Sequence, residues 1–99
     1  MIPRIQTMCN GKAHIVTIGR TSYYFSYTTC IAISGEEGRE YTEVRVHNSW
    51  GPTTGRHFNE MGCKNFREVS DEQFEAIAQR LGNPLPLKAV ASVLQISPM

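Results

Sequence analysis

Hydrophobic and polar residues alternate with a period of two through the first half of the chain and recur every three or four positions in the second. Residues 4–9 and 12–18 flank Asn10-Gly11, a pair that accepts positive φ and marks a hairpin. The second strand, from Ala13 to Ile18, is rich in β-branched residues. Gly19-Arg20 offers another tight turn, and a long third strand is expected from Ser22 to Ile33. Its odd positions, Tyr23, Phe25, Tyr27, Thr29, Ile31 and Ile33, are mostly apolar, whereas Tyr24 is the one bulky residue among the even ones. Such alternation puts one face on a core and the other toward solvent or a ligand. After a polar loop, Arg39 to His47 forms a fourth strand, with Glu43, Arg45 and His47 on a solvated side. Short connections make successive strands antiparallel neighbours, hence a meander.

Gly51-Pro52 ends the strand region, because proline has no N–H for a ladder. Thr53 or Thr54 is then expected to cap a two-turn helix. In it Phe58 and Met61 face inward, Gly62 ends it, and Trp50 anchors it. Phe66 to Val69 forms a short extended piece. Ser70 and Gln73 make a capping box for a second helix, Ser70 to Leu81, and Val69 with Phe74 makes the hydrophobic staple. Phe74, Ile77, Ala78 and Leu81 form its apolar stripe. Asn83-Pro84-Leu85-Pro86 is extended, and Leu87, Val90, Ala91 and Leu94 fit a short final helix. The expected fold is α+β: a three- or four-stranded antiparallel β-meander with two or three short helices packed on one face. Residues 1–99 are read as one domain, with the meander over about 4–47, a helical part over about 53–81 and a C-terminal segment over 83–99.

Composition narrows this picture. A chain of 99 residues with 40% hydrophobic and 19% charged residues can bury one modest core and is not of the disordered class. A net charge of +1 gives no global pull toward nucleic acid. Cys9, Cys30 and Cys63 are odd in number and form no C-x-x-C pair, as expected for a reducing compartment. Pro3, Arg4, Gln6 and Asn10 interrupt any secretory signal, and no apolar run reaches the roughly 20 residues of a membrane span. The chain reads as soluble and cytosolic.

The densest set of side chains able to bind something is Trp50, Thr53, Thr54, Arg56, His57 and Asn59. A helix N-terminus here would favour an anion, and the hydroxyls, Arg56 and His57 would add donors. No phosphate-loop signature is present, so nucleotide hydrolysis of that type is excluded. No nucleophile elbow or cysteine-protease signature accompanies the histidines and cysteines, and the lone Asp71 is explained by its helix start. His47, His57 and Cys63 match no recurring zinc spacing. The expectation is no catalysis, no metal and no cofactor.

The run Tyr27-Thr28-Thr29-Cys30-Ile31-Ala32-Ile33, followed by Asn48-Ser49-Trp50 and by Thr53-Thr54-Gly55-Arg56-His57-Phe58-Asn59, resembles a family of small bacteriophage proteins of unknown function. Members pair a Ser-Tyr-x-Thr-x-Ile-Ala strand with a Trp and then Thr-Thr-Gly-x-His-x-Asn. The resemblance covers residues 23–62, departs at Cys30, where Pro is more frequent, and implies a viral origin and the host cytoplasm. It carries no established activity. Two functions follow as expectations. One is a non-catalytic protein that binds and modulates or inhibits a host protein, including a defence-related one, through an aromatic-rich surface. The alternative is a nucleic-acid or nucleotide-binding module in which Thr53 to His57 hold phosphate and Trp50 or Tyr24 stacks on a base.

Overall fold

A computed structural model describes residues 4–82; the expected helix over 87–94 and the extended 83–86 lie outside them. The order of elements is β1 (Arg4–Met8), β2 (Ala13–Ile18), β3 (Thr21–Ser26), β4 (Thr29–Glu37), β5 (Glu40–Arg45), α1 (Pro52–Glu60), β6 (Arg67–Glu68) and α2 (Asp71–Gly82). The mixed α+β content is as expected, but the sheet has six strands, in the order β1-β2-β3-β4-β5-β6.

The extra strands have two sources. The long strand expected over Ser22–Ile33 turns back on itself at Tyr27-Thr28, with Ser26 paired to Thr29 across the turn. Tyr27 takes φ +56, an unusual conformation for a residue with a Cβ, and its N–H donates to the Lys12 carbonyl at 2.7 Å. The other source is Arg67–Glu68, which joins β5 in parallel after the α1 crossover, so the sheet is not a pure meander.

Register explains the core. One row, Ile5–Val16–Tyr23–Ile33–Val44, crosses five strands on a single face, and all but Ile5 in it are fully buried. Helix α2 packs against β4, burying Phe74, Ile77 and Ala78 as the stripe predicts, with Leu81 partly covered. Thr21 Oγ1 donates to the Leu81 carbonyl at 3.0 Å, tying the end of α2 to this face. The capping box is formed: Ser70 Oγ accepts from Gln73 N–H at 3.2 Å, and Gln73 Oε1 accepts from Ser70 N–H at 3.1 Å.

The helices do not share a face. Thr21 and Ser26 lie an odd number of positions apart on one strand and so point to opposite sides. Thr21 bonds α2, while Ser26 bonds α1. The sheet is therefore the middle layer of three. A bulge between Tyr24 and Phe25 sets Ile31 as an extra residue on β4. It sends Ile31 to the α1 side instead of placing it beside Phe74 with Tyr23 and Phe25.

Candidate functional site

Helix α1 begins one residue earlier than expected and is capped differently. Gly51 is the N-cap, Pro52 occupies the first turn, and no side chain caps the helix. Proline suits this position because its missing N–H would have no partner there. The chain is turned into the helix by Asn48. Its Oδ1 accepts from the N–H groups of Trp50 at 3.0 Å and Gly51 at 3.2 Å, and its Nδ2 donates to the Gly51 carbonyl at 2.9 Å. Gly51 adopts φ +115, which glycine alone tolerates readily. Gly55 leaves room for the Asn48 amide: a Cβ there would stand 3.2 Å from Nδ2.

The threonines and His57, expected to face a ligand, divide. Thr53 is exposed, but Thr54 and His57 are buried against β3. Ser26 Oγ and His57 Nδ1 are hydrogen-bonded at 2.7 Å, and Thr54 Oγ1 lies 3.5 Å from the same serine. Phe58, buried beside them, carries the Arg45 guanidinium 3.8 Å from its ring centroid. Arg45 is thus not a freely solvated charge, and its Nη1 also donates to the Lys64 carbonyl at 3.0 Å. Phe58, Met61 and His57 anchor α1; Trp50 does not, being 52% exposed.

Outside this clasp lies the open surface. Trp50, Thr53, Arg56 and Asn59 are exposed. Tyr27, half-exposed at the β3–β4 turn, meets the His57 ring at 5.6 Å between centroids. Trp50 and Tyr27 line one cleft of about 70 Å³ whose floor includes Ser26, Thr29, Ile31 and Thr54. The expected stacking residue Tyr24 is elsewhere: its ring meets Phe66 edge-on at 5.3 Å and its hydroxyl lies 3.2 Å from Ser34 Oγ.

The family model for a family of unknown function, DUF8033, matches residues 2–76. The chain belongs to this family. DUF8033 thus spans all of the sheet, α1 and the first half of α2, more than the stretch that carries the bacteriophage resemblance. No curated protein and no solved structure matches the chain.

The remaining reactive groups of this DUF8033 chain are held quiet. Burial pushes the Cys30 and Cys63 thiols up to about 12. Burial and the Glu60 carboxylate, which accepts from Cys9 Sγ at 3.0 Å, push Cys9 up to about 11. All three therefore keep their protons at neutral pH, where thiolate would be the reactive form. Among the described residues no group of His, Cys, Asp and Glu could hold a metal ion, and no helix is long and apolar enough to cross a membrane. Sequence reasoning gave no site role to Ser26 or Asn48 and counted Tyr27 only among the tyrosines of an aromatic-rich surface. Asn48 carried a signal, since asparagine commonly bonds backbone two or three residues ahead. Ser26 and Tyr27 carried only indirect signs: they open the Ser-Tyr-x-Thr-x-Ile-Ala run of the resemblance and lie in an alternation longer than an ordinary strand.

Proposed function

We propose that this chain is a non-catalytic, phage-encoded interaction protein that binds a host protein in the host cytoplasm and modulates or inhibits it, a defence-related target included. The observation that carries the reading is the cleft flanked by Trp50 and Tyr27, two of the three large hydrophobic residues left exposed among the described residues. Aromatic anchors of this kind supply much area at little entropy cost and dominate the energetics of many interfaces. Thr53, Arg56 and Asn59, exposed on α1, offer polar partners nearby. The bacteriophage resemblance of residues 23–62 supports the viral setting.

The nucleic-acid alternative is weakened by chemistry: Thr54 and His57, two of its phosphate donors, are occupied by Ser26 and buried. The test is capture from a bacterial host lysate, with nuclease treatment, by the parent chain and by Trp50→Ala. Trp50 is exposed, so its removal should move stability by no more than about 0.5 kcal/mol. Capture of a host protein should fall at least about tenfold, as expected for an interface anchor. Undiminished capture by Trp50→Ala would remove this surface from consideration. Capture that vanishes with nuclease and falls steeply with salt would favour the nucleic-acid reading.

A further inference from the structure

Among the described residues, the β5 edge of the sheet is only half covered. Strand β6 meets β5 at Val44↔Arg67 and Arg45↔Glu68, leaving Glu40 to Glu43 on the rim. Val69 N–H donates to the Arg45 carbonyl at 2.9 Å, which identifies Arg45 as a residue whose backbone groups point outward. Outward and inward residues alternate along an antiparallel strand. Tyr41 therefore turns its N–H and C=O, and Glu43 its N–H, away from β4. No backbone bond from outside the strands reaches these groups among the described residues. Beside this stretch runs an open groove of about 420 Å³, lined by Glu40, Tyr41, Thr42, Glu43, Asn65, Phe66 and Arg67.

The edge carries an exposed carboxylate on each side, Glu43 beside Tyr41 on one and Glu40 with Arg67 on the other. Tyr41 and Glu43 share the α1 side with Glu36, whose carboxylate is taken by Arg20 at 2.8 Å. Glu43 is exposed and makes no ion pair within the described residues. Tyr41, 61% exposed, presents a ring on which a basic side chain can lie. Arg67 stands on the opposite side, sharing the face of its partner Val44. We propose that the β5 edge takes an extended peptide bearing Lys or Arg at alternate positions as an added strand, its basic side chains on the side of Tyr41 and Glu43. Main-chain bonds to Tyr41 and Glu43 hold the peptide, and the alternation gives it a register.

The test uses the full chain and two blocked seven-residue peptides, one alternating lysine with threonine and valine, the other with glutamate in place of lysine. In the free protein the Tyr41 and Glu43 amides should exchange readily with solvent. The lysine peptide should slow both, and the glutamate peptide should not. Glu43→Lys should weaken the lysine peptide by about tenfold or more with an unchanged melting temperature. Glu43→Gln serves the same purpose should the reversal disturb folding. Trp50→Ala should leave this binding intact, which separates it from the cleft. The proposal is overturned if the two amides are already protected in the free protein. Sedimentation then tells a second copy from the chain's own residues 83–99. Equal binding of the two peptides, or indifference to both Glu43 variants, overturns it as well.

Discussion

The two faces of the sheet are covered by helices of similar size but held by different chemistry. On the α2 side the contact is apolar: Phe74, Ile77 and Ala78 over a row of Val16, Tyr23, Ile33 and Val44. On the α1 side Phe58 and Met61 share the contact with Ser26, Thr54, His57 and the stacked Arg45. Apolar burial is tolerant of direction and needs only the right periodicity. A buried hydrogen-bonded clasp is directional, and losing one member leaves the other stranded. The α2 side is built for stability, and the α1 side fixes one orientation of the helix, which holds the cleft between Trp50 and Tyr27 in shape.

The contrast can be broken by substitution. The largest effect is expected from Phe74→Ala, which should cost about 3–5 kcal/mol through cavity formation, read from denaturant midpoints. A loss well under 1 kcal/mol would mean that α2 is not the main source of apolar burial. Next comes the clasp. His57→Leu should destabilise by about 1–3 kcal/mol by leaving the buried Ser26 hydroxyl with only its 3.5 Å contact to Thr54. Adding Ser26→Ala should recover part of that loss, giving a non-additive cycle. Strict additivity of the two changes would show that the 2.7 Å contact carries no coupling. The smallest effect separates the helix starts. Ser70→Ala removes a formed cap from α2 and should cost about 1 kcal/mol, whereas Thr53→Ala on α1 should change little. Equal losses at the two sites would contradict the capping assigned here.

How legible these features were in the sequence follows the same division. The α2 stripe, its capping box and the Asn10-Gly11 hairpin obey local rules of period and turn chemistry, and the structure contains them. The turn at Tyr27-Thr28 was hidden because neither residue is a turn former, and tertiary contacts hold Tyr27 at positive φ. A sustained alternation beyond the usual strand length of about ten residues was the one hint. The candidate site was legible as a neighbourhood and not as an arrangement. Trp50, Thr53, Arg56 and Asn59 are exposed as a binding residue must be, while Thr54 and His57 are drawn inward by Ser26. Nothing within residues 50–59 announces a partner on β3, because that pairing is set by how the sheet and helix meet in space.

The parallel attachment of β6 has a consequence for the order of events in folding. Strands β2 to β5 are joined by two-residue connections at Gly19-Arg20, Tyr27-Thr28 and Gly38-Arg39, so each pairing follows quickly from the one before. Pairing of β6 must wait for residues 46–66, with α1 inside them, to close a far longer loop, and its return is only two residues of ladder. The hairpins therefore assemble first and the β5–β6 seam last. By the same reasoning that seam opens first when the protein breathes.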